Sequence, residues 1–165
     1  MPRCFGDGDP LYERYHDEEW GQPVTGEREL FERVSLEAFQ SGLAWITILR
    51  KREGFRTAFA GFDVDAVAAF GPADVERLLA DAGIVRNRAK VEATIANARA
   101  LLALHADGGS LRELLWSGDT PAEVAKRMKK LGFRFVGPTT VESAMQACGV
   151  VDGHAPWCTT QSQRA

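Results

Sequence analysis

The chain reads as an all-α protein. Three observations predict this: apolar residues recur every three or four positions through most of its length, helix-start signals such as Asp9-Pro and Thr120-Pro-Ala-Glu recur, and strand-type alternation is scarce. With 165 residues and 45% hydrophobic content there is material for one real core, or for two small helical lobes sharing a cleft. No Pro/Ser-rich linker, low-complexity segment or internal repeat divides the chain, so residues 1–165 are read as a single unit.

In order, Asp9 caps a short helix with Pro10 in its first turn, and three- and four-residue spacing puts Tyr12, Tyr15 and His16 on one face of it. From Glu27 a helix carries Leu30, Phe31, Val34, Ala38 and Phe39 as a wide buried stripe and is ended by Gly42. An exposed-looking Leu43 and a second helix beginning near Trp45 follow. Asp63 caps Val64 to Phe70, and Gly71-Pro72 starts Ala73 to Ala82, which Gly83 ends. A long amphipathic helix from about Asn87 to His105 turns Val91, Ile95, Ala98, Leu101 and Leu102 to the core; His105 near its end is assigned no role beyond a favourable partial charge. Gly108-Gly109 breaks the chain before a short helix with Leu111, Leu114, Leu115 and Trp116.

Thr120-Pro-Ala-Glu is a capping box with proline at the first helical position. The helix it opens carries Val124, Met128 and Leu131 inward, exposes Lys126, Arg127, Lys129 and Lys130, and stops at Gly132. A tight turn bracketed by Gly132 and Gly137 joins it to a helix opening at Pro138. The free N–H groups of that start, beside basic residues, suit a phosphate; an ordinary helical hairpin is the alternative.

The formal net charge of −3 argues mildly against nucleic acid as a partner, but the distribution is uneven. Acids crowd the first third, whereas cations cluster at Arg50, Lys51, Arg52 and Arg56, at Arg86, Arg88 and Lys90, and from Lys126 to Arg134. The first cluster is either a solvated face or a track for a phosphate backbone. No apolar run is long enough to span a bilayer and the N-terminus lacks a signal-peptide core, so no membrane partner and a cytoplasmic location are expected. Three cysteines do not make a disulfide framework; metal or free thiol is the better expectation.

Among chemistry-bearing residues, Glu37 sits at the edge of the apolar stripe, where a carboxylate must find a partner or shift its pKa; a solvated helix charge is the alternative. Trp45 is either core or the wall of a cleft, where an indole face stacks on a base or a cation. Tyr12 and Tyr15 are either core or pocket. His154 and Cys158 form an H-x3-C pair, and Cys4 and His16 lie near the other terminus. Two of each make a closed tetrahedral zinc set if the ends meet, though neither half has zinc-finger spacing. Cys148 reads as core.

Arg3-Cys4, Asp9-Pro-Leu-Tyr-x-x-Tyr-His-Asp-x-Glu-Trp-Gly, Leu36-Glu, Gly42-Leu-x-Trp-Ile-Thr, Lys51-Arg-Glu, Gly83-Ile, Gly132-Phe-x-Phe-Val-Gly, Met145-Gln-Ala-Cys-Gly and His154-x3-Cys together resemble the DNA-3-methyladenine glycosylase I family of the helix-hairpin-helix superfamily. The resemblance covers nearly the whole chain. It implies a helix-hairpin-helix glycosylase fold whose termini are joined by one structural zinc (Zn2+) per chain, held by Cys4, His16, His154 and Cys158. It implies hydrolysis of the N-glycosidic bond of 3-methyladenine in double-stranded alkylated DNA, with base flipping, release of free 3-methyladenine and an abasic site. Trp45 would stack on the flipped base, Tyr12 and Tyr15 would line the pocket, and Glu37 would hydrogen-bond the polar edge. Gly42 and Leu43 would form the wedge that fills the gap in the stack, and the hairpin from Gly132 to Gly137 would grip phosphates.

No lysine matches a Schiff-base nucleophile, so lyase activity is not expected. A monomer is expected. The chain departs from the family in a segment shortened to Gly118-Asp119, in Glu142 where a tyrosine is expected, and in Ala144 where a bulkier aromatic is usual. The second reading is a zinc-clasped module that binds DNA or a free alkylated base without cleaving it.

Overall fold

Residues 2–158 of the computed structural model are described; they contain ten α-helices, one π-helical turn, one 3-10 turn and no strand. α1 (Pro10–Arg14) starts where Asp9 accepts from the N–H groups of Leu11 and Tyr12. It does not continue as one regular helix. The backbone widens into a π-helical turn over Tyr15–Glu19, closed by a 2.9 Å bond from Trp20 N to Tyr15 O. This turn lets the adjacent Tyr15 and His16 both be buried, at 3% and 0% exposure, the first beside a cavity and the second among the cysteines.

α2 (Glu27–Gln40) is the central element, packed against α3, α7, α8 and α10 with Leu30, Phe31 and Phe39 buried. At its start the Glu27 carboxylate accepts from Leu111 N, from Arg112 N and, at 2.7 Å, faces His105 Nε2. His105 therefore takes part in a junction of three helices.

The Trp45 helix is two helices. α3 (Trp45–Arg50) and α4 (Arg52–Ala58) break at Lys51, whose backbone leaves the helical region at φ −97°, ψ 1°. The break lets Phe55 and Phe59 join Phe39, Phe62 and Phe70 in a ladder of rings whose centroids are 4.7–6.5 Å apart. α4 also lies against the Gly83 turn so closely that a Cβ on Gly54 would fall 2.2 Å from Gly83 O.

α5 (Val64–Ala68), capped by Asp63, and α6 (Pro72–Leu79) both pack on the long α7 (Arg88–Ala106), whose cap is Asn87. α8 (Leu111–Leu115) leads to α9 (Pro121–Lys130), where Thr120 and Glu123 form the expected capping box, and α9 packs on α10 (Pro138–Ala147). Leu131 is not inward: it is 41% exposed, because α9 ends at Lys130 and Gly132 (φ 97°) reverses the chain. Phe133 and Val136 fill the core there instead. The turn itself is held from α7, where Asn97 donates to Arg134 O at 2.9 Å and accepts from Arg134 N at 2.7 Å.

Buried apolar side chains from Val24 to Cys148 form one connected core. Leu102 is only partly buried at its margin, and Cys148 is fully inside as expected. Among the described residues no helix is long and apolar enough to cross a membrane.

Candidate active site

A cavity of about 440 Å3 opens between α1, α2, α3 and α10. Tyr12 and Tyr15 reach it from the first helical segment, Glu37 and Gln40 from α2, Trp45 from α3, and Ser143 and Gln146 from α10. Sequence reasoning named the first two, Glu37 and Trp45 and missed Gln40, Ser143 and Gln146. The three-residue spacing of Ser143 and Gln146 was a weak signal, since polar residues so placed usually mark a solvated face. A second cavity of about 360 Å3, beside Phe70 and Arg99, contains none of the candidate residues.

Glu37 is 7% exposed, and no donor among the described residues hydrogen-bonds its carboxylate. Burial raises its pKa to about 7, with nearby Arg33 opposing the rise. Burial also raises both tyrosines, with the Glu37 charge adding to it, so their hydroxyls remain protonated donors. The rings of Tyr15 and Trp45 lie 5.4 Å apart at 41°, and Trp45 Nε1 is buried without a partner. Glu37 thus gives the cavity an acceptor with no donor among the described residues, between aromatic walls, while Trp45 Nε1 itself is enclosed. An unpaired carboxylate so enclosed is costly.

Beside this cavity α2 ends in a tight turn, Gln40 to Leu43, closed by Leu43 N to Gln40 O at 2.7 Å. Ser41 (φ −50°, ψ 120°) and Gly42 (φ 80°) give it type II geometry, which requires the left-handed conformation that glycine adopts freely. Leu43 stands out from it at 38% exposure. Gly137 caps α10, and a Cβ there would meet nothing within 4 Å, so the N-terminus of that helix is open.

Cys4, His16 and Cys158 come together with their ligand atoms within 4.8 Å of one another, all thiols free. His16 Nδ1 lies 2.9 Å from Asp17 Oδ1 and its Nε2 lies 3.4 Å from Cys158 Sγ; Asp17 is itself held by Arg3. His154 is outside that three-residue group, although its ring centroid is 5.6 Å from that of His16. Its Nδ1 lies 3.0 Å from Asp152 Oδ1, and its Nε2 is buried with no partner. Both histidines thus have a carboxylate beside Nδ1, which leaves Nε2 as the atom that could face a metal. Burial, with Cys158 alongside, pushes the Cys4 thiol above its ordinary range. Two soft thiols and two imidazoles fit zinc better than a hard cation.

The cation run after Trp45 is largely held in ion pairs. Arg50 pairs with Asp9, Arg52 with Glu19 and Arg56 with Glu32 and Glu53, while Lys51 Nζ donates to Ala82 O at 3.0 Å. Acids of the first third and of α2 and α4 neutralise it. Lys126, Lys129, Lys130 and Arg134 are exposed on α9 and its turn, with no ion pair among the described residues.

An all-helical frame around an aromatic-walled cavity with a buried carboxyl group, and a protruding apolar turn at its rim, fits the class of proteins that take up a flat heterocycle. The chain belongs to the methyladenine glycosylase family, whose model matches residues 5–124 and 118–161. The two stretches meet beside the Gly118-Asp119 turn. It is 44% identical to DNA-3-methyladenine glycosylase 1 of Escherichia coli (strain K12), over 96% of each protein, and 38% identical to DNA-3-methyladenine glycosylase of Haemophilus influenzae, over 90% of this chain and 91% of the other. A solved variant of 3-methyladenine DNA glycosylase I in complex with 3-methyladenine superposes with a TM-score of 0.93 at 34% identity, covering 100% of both chains.

Proposed function

We propose that this protein is a monofunctional DNA glycosylase that hydrolyses the N-glycosidic bond of 3-methyladenine in alkylated duplex DNA. The observation that carries the reading is Glu37, a carboxylate buried without a donor in an aromatic cavity. Methylation at N3 makes the purine cationic while it is attached to the sugar. An anion and an indole face favour such a ring over neutral adenine, through a charge-assisted hydrogen bond and a cation–π contact worth about 0.5–2 kcal/mol.

Duplex stacking hides the bond, so the nucleotide turns out of the helix into the cavity. There the ring stacks on Trp45, between Tyr12 and Tyr15, and its polar edge donates to Glu37. Leu43, carried by Gly42, fills the space the base leaves. The α9–α10 pair is read as the helix-hairpin-helix element. Gly132 shapes its turn, Gly137 opens the N–H groups of α10 to phosphate, and the free cations of α9 lie alongside.

The N-glycosidic bond breaks with its electron pair going to the base, which leaves neutral; water adds to the sugar carbon and loses a proton. Cationic purines are good leaving groups, so the protein's task is to extrude, hold and select. Cys4, His16, His154 and Cys158 would hold one zinc ion that ties the two ends of a monomeric single unit together. An ion held by these side chains would supply a cross-link between the two ends.

The test is to incubate methylated duplex DNA with the protein and measure released 3-methyladenine. Release well above that of a Trp45→Ala variant is expected; equal release refutes the reading.

A further inference from the structure

We propose that Lys90 is a positioning residue for the turn that carries Leu43, an inference that rests on reading Leu43 as the wedge. α2 has no basic residue in its last turn, so its C-terminal carbonyls depend on donors from elsewhere. Lys90 supplies them from the first turn of α7. Its Nζ donates to Phe39 O at 2.8 Å and to Ser41 O at 2.6 Å. The residue is 8% exposed, and an ammonium so enclosed is held there by such bonds.

The second bond decides the shape of the turn. Type I and type II turns differ by a flip of their central peptide, which here is Ser41–Gly42. Ser41 O belongs to that peptide, so the ammonium fixes which way it faces. A flip would carry the carbonyl off Lys90 and take Gly42 out of the left-handed region, re-aiming the residue that follows. Gln40 Nε2 braces the other side by donating to Leu43 O at 2.8 Å. Among the described residues only Lys90 hydrogen-bonds the turn from another helix, tying Leu43 to the long α7. Lys90 is not among the residues that line the cavity, so its loss removes no contact to the base.

The experiment compares wild type, Lys90→Met, Lys90→Gln, Leu43→Ala and the Lys90→Met/Leu43→Ala double variant. Three readouts are taken: single-turnover excision from a methylated duplex, fluorescence of a 2-aminopurine placed opposite the lesion, and affinity for free 3-methyladenine. Lys90→Met should slow excision about 10- to 100-fold, the order of loss that a misplacement of about 1 Å causes. It should also weaken the unstacking signal and leave free-base affinity within about twofold. In the double variant excision should match Leu43→Ala alone to within about twofold, as for two residues acting through one element. Lys90→Gln, which keeps one amide donor, should recover part of the loss.

Equal loss of free-base binding, or a multiplicative loss in the double variant, overturns the proposal. So does failure of both Lys90 variants to fold, which would make the lysine a determinant of the fold. If Leu43→Ala alone excises at the wild-type rate, the wedge reading fails and takes this one with it, while base release by the wild type still tests the glycosylase reading separately.

Discussion

Replacing Glu37 by glutamine should make the protein more stable and less active, by amounts that depend on pH in opposite ways. Burial holds the Glu37 pKa at about 7 in the folded protein, against an ordinary value of 4.5. Between those two values the folded protein binds more protons than the unfolded chain, so Glu37 makes stability fall as pH rises through that window. Above pH 7 the buried carboxylate costs about 3 kcal/mol, and below pH 4.5 it costs nothing. Glutamine has nearly the same shape and never ionises. Thermal melts of Glu37→Gln and wild type should therefore coincide near pH 4.5 and separate by up to about 10 °C at pH 8, at the usual 2–4 °C per kcal/mol for a domain of this size.

Activity should move the other way. Only the carboxylate offsets the charge of the lesion, so wild-type kcat/KM for base release should rise about tenfold per pH unit below pH 7 and level off above it. The glutamine variant should be flat. At pH 8 it should be slower by about 10- to 150-fold, the worth of a hydrogen bond to a charged group at roughly 1.5–3 kcal/mol. A variant no more stable than wild type at pH 8, or a wild-type profile flat from pH 6 to 8, would refute the reasoning.

Trp45→Ala should lower kcat/KM by roughly 30-fold or more, for a lost cation–π contact of about 2 kcal/mol plus lost stacking area; Trp45→Phe should retain part of it, measured by the same release assay. Metal analysis should find about one zinc per chain, and Cys158→Ser together with His154→Ala should abolish it; a chelator should lower the melting temperature of wild type but not of that variant. Gly54→Ala should destabilise by about 1–3 kcal/mol in denaturant melts, because the added methyl meets the Gly83 carbonyl backbone, which has no side-chain freedom with which to yield.

Helix starts were legible because their signals are local. Asp9, Asp63, Asn87 and Thr120 each accept from an N–H two or three residues on, and each does so in the structure. What escaped depends on distant partners. The π-helical turn after Arg14 buries Tyr15 and His16 side by side, a tertiary demand with no sequence period. The break at Lys51 has no glycine or proline; it serves the phenylalanine ladder. Leu131 fits the α9 stripe by spacing, yet the helix ends one residue before it. The cations after Trp45 read either as a solvated face or as a phosphate track, and their ion pairs were not legible because the acids, Asp9, Glu19 and Glu32, come from earlier elements. Glu37 and Trp45 were legible for the opposite reason: a carboxylate at the edge of an apolar stripe and an indole past a glycine break are anomalies in their own neighbourhoods.

The arrangement of charge explains how a protein of net charge −3 suits an electropositive lesion in an anionic polymer. Arg50, Arg52 and Arg56 are held in ion pairs, whereas Lys126, Lys129, Lys130 and Arg134 on α9 and its turn have none among the described residues. The anion that matters is kept apart from them. Among the described residues Arg33 is the cation whose charge acts against the Glu37 shift, yet its Nη2 leans toward Glu19 at 3.8 Å and its Nη1 is buried without a partner there. Had a guanidinium closed on Glu37, the carboxylate would be satisfied and an incoming cationic ring would gain little by displacing it. Left open, Glu37 ionises at a cost to the free protein, and a positively charged ring offsets that cost where neutral adenine cannot. On the proposed reading of Glu37, selectivity for damage follows from a counter-charge the fold withholds.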